Sequence, residues 1–459
     1  MEAICKNLAI VSIMALAGIN ASTAQSKIEH VTAIGGSQSN ITYVDSDIDT
    51  LTNTTYLLAY VKGTCDIDPS SAKKMISEVN NPNHDGNNQS LGLAVVIAYE
   101  EINSKQKLKW VSSLKSIGNS MTKLQKITFD YKNKNIFVAG HHDGKFQLQT
   151  PAGATSTINA GSAGGTDIFL LKYDVLGNLV KKAILQDNKD NGVSSRIKIA
   201  GLATDKYGNL ILLGSLNQWG NWDINPGQGY GAVVGGLFLA KYDNNFAFKW
   251  SKNISYDTQF SSWEDITFDD MALDSNGNII FSGRVIDDTY SGLQLFIKYF
   301  NFVSKYSTLG NQKFTNKILE GRSPLYCTTD KKGDVICYGT LEPNTTISPD
   351  PVSSSNKTIV GDNTAYNAYL VKYQSANGKL VWVNKVVHNS LAGDKNIAQD
   401  VTTGPGNSII TSTKRYNTGN MQQLVLEKYT SAGVKKWGTH TQMMNTTQSV
   451  IGAPKLVAY

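Results

Sequence analysis

Two short patterns alternate along this chain, and their alternation constrains the fold more than any other feature. One is an apolar run ending in Lys-Tyr, then a polar turn, then a second run that often carries Trp. It reads IFLLKYDVLGNLVKKAIL at 168–185, LFLAKYDNNFAFKWSKNI at 237–254 and FVSKYSTLGNQKFTNKIL at 302–319, and returns as YLVKYQSANGKLVWVNKV at 369–386 and LVLEKYTSAGVKKWGTH at 424–440. An earlier copy at 95–112 has Ala98-Tyr99 in place of Lys-Tyr. The other pattern reads IAGLATDKYGNLILLGS at 199–215, DDMALDSNGNIIFSGRV at 269–285 and PLYCTTDKKGDVICYGT at 324–340. Residues 126–142 match with one extra turn residue, 400–415 are a looser copy, and 43–63 are the most degenerate.

Each pattern is two β-rich runs around a polar turn. In Asp-x-x-Gly-Asn the Asp caps the turn, and Gly or Asn takes the positive φ that the turn needs. Each pattern is therefore a hairpin, and two hairpins make a four-stranded antiparallel unit. The recurring tyrosines 99, 173, 242, 306, 373 and 429 are 74, 69, 64, 67 and 56 residues apart. Units of this size without helical periodicity predict an all-β fold, a single β-propeller over residues 25–459. Six hairpins of each kind predict six blades. The tail VIGAPKLVAY (450–459) adds a strand and makes seven the alternative. The chain opens with the second kind of hairpin and closes with the first, so N- and C-terminal strands are expected to close the ring together. With 17% charged residues, 40 glycines and mainly apolar strands, the composition suits blades buried on both faces.

The pairing of DIFLLKYD..GN with GLATD..GN..LLGS resembles the bacterial β-propeller repeat family of the SBBP type. DINPG (223–227) and DIDP (66–69) are similar to the linkers between blades in its surface-exported members. The resemblance spans roughly residues 40–440. It implies a propeller and a surface or secreted setting, and it brings no catalytic residues with it. The Lys-Tyr motif departs at Ala98, and the turn motif departs at 49–55 and 403–407.

The first residues read as a secretory signal. Lys6 precedes a twelve-residue apolar stretch, Leu8 to Ile19, and NASTAQ supplies small residues for cleavage after Ala24. Twelve residues are too few to span a bilayer, so the expectation is an exported protein without a transmembrane segment. The net charge is +6 with no concentrated Lys/Arg stripe, which argues against a nucleic-acid partner.

Candidate sites follow from the repeats and from what breaks them. Lys172, Lys241, Lys305, Lys372 and Lys428 recur at one level. In a propeller the first strand of each blade lines the channel, so these five could form a cationic ring for an anionic ligand. Alternatively each lays its stem on apolar neighbours and sends its ammonium to solvent or a nearby Asp. The recurring tyrosines and Trp110, Trp250, Trp382 and Trp437 read as packing between blades. Trp219, Trp222 and Trp263 fall outside the repeat and are candidates for contact with a glycan or a protein. Glu264, Asp265, Asp269 and Asp270 beside Trp263 offer oxygen donors for calcium, without an EF-hand spacing. No other cofactor is expected. His141-His142 points to opposite strand faces and reads as a solvated rim rather than a chelate.

If the hairpin turns around Lys331 to Gly333, Cys327 and Cys337 face each other across its strands. They read either as a cross-strand disulfide or as two small buried side chains, since the copy at 200–214 has Leu202 and Leu212 there. No nucleophile elbow, HExxH, Walker A or Rossmann fingerprint occurs. The leading expectation is a secreted or surface-exposed, non-enzymatic binding or scaffold module for a protein or glycan held at a propeller rim. The alternatives are an extracellular hydrolase or lyase with carboxylates converging at the channel mouth, and a structural subunit of a surface assembly.

Overall fold

The computed structural model describes residues 40–440 except 71, 79–89, 104, 119, 160–165, 188–196, 227–231, 255–265, 292–293, 351–356, 388–394 and 418–420, and a few short strands of the termini. The fold is all-β, antiparallel within the six main sheets and parallel only where described terminal strands pair with each other. Among the described residues the helical structure is one 3-10 turn, Pro405–Asn407, and no helix is long and apolar enough to cross a membrane.

Six four-stranded motifs follow one another, here sheets 1 to 6. Sheet 5 is typical: Leu325–Thr329, Val335–Leu341, Asn367–Tyr373 and Leu380–Val386 pair in chain order. The others lie at 40–117, 122–187, 197–254, 266–319 and 395–440. Each sheet is two successive hairpins taken from one continuous stretch, the first with an Asp turn except in sheet 6, where Gly404 takes the place, and the second with Lys-Tyr except in sheet 1, where Ala98 precedes Tyr99. Sheets 1 and 6 each take all four strands from one stretch, so the two ends do not complete a four-stranded unit between them; the terminal strands pair with each other outside the six sheets, Asn7–Ile10 with Ser449–Ile451 and Met14–Ala15 with Val457–Ala458. The chain divides into two compact units, one holding sheets 1–3 (His30–Ser255) and one holding sheets 4–6 (Tyr256–Thr446).

Within each unit the core lies between successive sheets. Phe129, Val138 and Tyr173 of sheet 2 pack with Tyr56, Val96 and Trp110 of sheet 1. Leu212 and Tyr242 of sheet 3 pack with Phe137 and Leu170 of sheet 2. Sheets 4 and 5, and 5 and 6, repeat the arrangement. The first strands of neighbouring sheets run side by side and are joined by side chains. Asp45 accepts from Ile127 N at 3.0 Å and Asp47 from Phe129 N at 2.9 Å. Gln125 accepts from Ile199 N at 2.9 Å. These acceptors satisfy edge N–H groups that a buried strand would otherwise leave unpaired.

Three repeated details explain the repeated residues. A glycine on the second strand faces an aromatic ring on the third. An added Cβ would lie 2.4 Å from Phe169 at Gly140, 2.6 Å from Phe238 at Gly214, 2.6 Å from Phe302 at Gly283 and 2.5 Å from Tyr369 at Gly339. The repeated tyrosine anchors the insert that precedes its own strand. Its hydroxyl donates to Ile67 O from Tyr99 (2.8 Å), to Ile224 O from Tyr242 (2.7 Å) and to Pro349 O from Tyr373 (2.8 Å). The fourth strand carries a one-residue bulge in all six sheets, at Lys109, Val180, Lys249, Lys313, Val381 and Lys436, all exposed. A bulge with an outward lysine blunts an edge strand against pairing with another chain.

Candidate functional site

The recurring lysines sit on the third strand of sheets 2 to 6, not on the first strand, which is the one set beside its neighbours. Lys241 and Asp205 are 2.8 Å apart, Lys305 and Asp274 2.9 Å, and Lys372 and Asp330 2.7 Å. In each case the aspartate opens the turn of the same sheet. Its other oxygen accepts two turn N–H groups, as Asp205 does from Tyr207 and Asn209, both at 2.9 Å. Burial pushes the carboxyls of Asp205 and Asp274 up, but hydrogen bonds from Lys241 and Asn209, and from Asn278 and Lys305, outweigh it and hold both below the usual carboxylate range. Lys305 is fully buried and also donates to Gly333 O and Ser375 Oγ of sheet 5, both at 2.7 Å.

Lys172 departs from this pattern. Its sheet has the extra turn residue, and its ammonium goes to Asn244 of sheet 3, which in turn donates to Asp130 at 2.7 Å. Four of the five lysines are therefore buried and tied to internal oxygens, and at Lys241, Lys305 and Lys372 a carboxylate of the same sheet already compensates the charge a cationic ring would present. Lys428 alone is partly exposed.

The other candidates have separate fates. Trp219 and Trp222 lie on the second strand of sheet 3, but their side chains are outside the described residues, as is all of Trp263, Glu264 and Asp265. Asp269 accepts from Leu325 N at 3.0 Å and Asp270 from Cys327 N at 2.9 Å, and Arg284 sits 3.0 Å from Asp269. These two carboxylates join sheet 4 to sheet 5. Cys327 and Cys337 are in register, as the hairpin turn required, and both are buried free thiols whose ionisation burial opposes. Trp110 donates its indole N–H to Val175 O of sheet 2 at 3.0 Å, a packing role.

The histidine pair is a correction. His141 and His142 are not at a solvated rim: they are 5% and 0% exposed. The insert that follows them, Lys145–Gln149 and Thr155–Asn159, folds onto the fourth strand of sheet 1 and covers this end of sheet 2. His142 Nδ1 lies 2.9 Å from Gly144 O and its ring meets Phe146 edge-on. Burial, then Lys123 and His142, push the His141 imidazolium down to about 3, and burial lowers His142 as well.

One groove stands out that the repeats did not mark. It has a volume of about 520 Å³ and runs along the outer edge of sheet 1, between the Asp66 insert and the Lys145–Asn159 hairpin. Lys74 and Lys109 bring positive charge, Met75, Ile76, Trp110 and Pro151 bring apolar surface, and among the described residues no carboxylate lines it. Met75 is 54% exposed, so the apolar wall is accessible. Its sequence signal was the bulged Lys109 together with an insert that breaks the repeat.

No family model matches this chain, and no curated protein matches its sequence. Solved structures with similarity include the GH93 α-L-arabinofuranosidase of Fusarium graminearum in complex with arabinobiose, at 10% identity over 81% of this chain and 88% of that one, TM-score 0.37. A eukaryotic initiation factor is similar at 7% identity over 90% and 98%, TM-score 0.32. Drosophila Plexin A in complex with Semaphorin 1b is similar at 8% identity over 73% and 81%, TM-score 0.29. All three scores fall below 0.5, and neither architecture nor activity is carried over from them.

Proposed function

We propose that this chain is an exported, non-enzymatic β-propeller of the SBBP-type repeat, its six sheets the blades of one ring, and that it holds an anionic glycan or protein partner in the groove beside Lys109. The observation that carries the reading is the groove itself. It combines two lysines with an accessible apolar wall, the mixed lining a recognition site uses to orient a ligand. The hydrolase alternative needs carboxylates aimed at a common point. The aspartates of the repeat serve instead as acceptors for turn N–H groups, neighbouring first strands and lysines, as for Asp47, Asp205, Asp274 and Asp330.

The test is a glycan array carrying neutral and acidic oligosaccharides, read with the full chain and with Lys74→Glu plus Lys109→Glu. Acidic glycans should be retained by the parent and lost by the double variant. Binding that is unchanged in the double variant and abolished by Trp219→Ala and Trp222→Ala would move the site to sheet 3. An array without binding removes the glycan, and the same charge reversal then has to abolish crosslinking to a protein partner.

A further inference from the structure

Sheets 3, 4 and 5 share one constellation. The aspartate that opens the first turn places one oxygen on two turn N–H groups and the other on the third-strand lysine. The N–H groups belong to Tyr207 and Asn209, to Asn276 and Asn278, and to Lys332 and Asp334, all between 2.8 and 3.0 Å. In sheet 6 the strand register is the same, with Lys428 opposite Ile410 as Lys241 is opposite Ile211. The position of the aspartate, however, is Gly404, paired with Ser408 at the mouth of the turn. Among the described residues no carboxylate lies within ion-pair distance of Lys428, which is partly exposed.

The opposite loss, in sheet 1, was repaired. There Ala98 replaces the lysine, and the buried Asp49 takes Thr52 Oγ1 at 2.8 Å and Leu51 N at 3.1 Å instead. The lysine of sheet 6 has no such substitute. Its turn is nevertheless held in place: Lys331 N donates to Asn407 Oδ1 at 3.2 Å, Thr403 Oγ1 to Thr329 O at 2.7 Å, and Ser408 Oγ to Pro405 O at 3.0 Å. The turn is also open, since a Cβ added at Gly406 would meet nothing within 4 Å.

We propose that Lys428 and the Gly404–Ser408 turn form a binding site for a carboxylate supplied by a ligand, seated where the repeat elsewhere has its own aspartate. An ammonium on a fixed frame with one missing acceptor favours a carboxylate through a charge-assisted hydrogen bond. The site is separate from the groove of sheet 1 and does not depend on it.

Lysine footprinting by reductive methylation, read by mass spectrometry on the full chain, tests this. Lys428 should react several-fold faster than Lys241, Lys305 and Lys372. Acetate should slow Lys428 relative to chloride at equal ionic strength. Gly404→Asp should slow it permanently and remove the acetate effect; Gly404 has φ −109° and ψ −171°, which an aspartate adopts without strain. An unchanged rate at Lys241 reports that each variant is folded. A capped Asp-Gly-Asp peptide is the second probe. Protection at about tenfold lower concentration than acetate, about 1.4 kcal/mol, assigns a polypeptide carboxylate, and protection at the same concentration assigns a small free one. If neither probe slows Lys428, or if Gly404→Asp leaves its rate as in the parent, the proposal is wrong.

Discussion

Acidification should destabilise sheet 2 through its buried imidazoles, and first through His141. The side chain is 5% exposed, its Nδ1 has no protein partner, and Lys123 stands directly opposite in the strand register. Protonation in place would put a second cation beside that lysine in a dry site, so the folded pKa falls to about 3 against roughly 6.5 in the unfolded chain. The unfolded state then binds more protons between these values, and stability falls as the pH drops. The destabilisation begins near 6.5, grows as the pH falls and levels off near 3. For one such group it is about 0.2 kcal/mol at pH 7, about 0.8 at pH 6 and about 2 at pH 5. His141→Thr removes the group and copies Thr340, its counterpart in sheet 5. Urea unfolding followed by tryptophan fluorescence at pH 7, 6 and 5, above the carboxylate range, gives the comparison. Relative to the parent, the variant should keep about 2 kcal/mol more of its pH 7 stability at pH 5. His142→Leu, after Leu341, should act in the same direction. Parallel losses in parent and His141→Thr would refute the claim that the imidazole is held neutral by its surroundings.

Lys305→Met strips a fully buried carboxylate, Asp274, of its counter-ion and should cost about 3–5 kcal/mol, whereas Lys428→Met should stay within about 0.5 kcal/mol; equal unfolding midpoints for the two variants would contradict the ion-pair assignment. Gly283→Ala places a Cβ 2.3 Å from Thr267 O and 2.6 Å from the Phe302 ring, a clash with backbone that no rotamer relieves, and should lower stability by about 1–3 kcal/mol. Gly438→Ala, whose nearest contact would be 3.4 Å, is the control, and calorimetry should separate the two.

Much of the local architecture was legible in the chain because it rests on short-range chemistry. Alternating β-rich runs and Asp-x-x-Gly-Asn turns mark hairpins wherever they occur, and the turns at Asp205, Asp274 and Asp330 formed as their spacing required. Cys327 and Cys337 face each other because hairpin register follows from turn length. The candidate sites were harder to read. Lys241 meets Asp205 across 36 positions, and the order of the hairpins decides that they share a sheet. Asp269 looked like an oxygen ligand and became a link between sheets, because the N–H of Leu325 lies along the edge it faces.

Sequence alone therefore determined the all-β class, the hairpins, their turns and the four-strand period, since each depends on residues a few positions apart. Tertiary structure decided which hairpins share a sheet, that Lys241, Lys305 and Lys372 are internal ion-pair partners, that His141 and His142 are buried, and that a groove opens beside Lys109. Each of these depends on where an insert or a neighbouring sheet comes to rest, and burial and charge pairing are properties of that placement rather than of the local pattern.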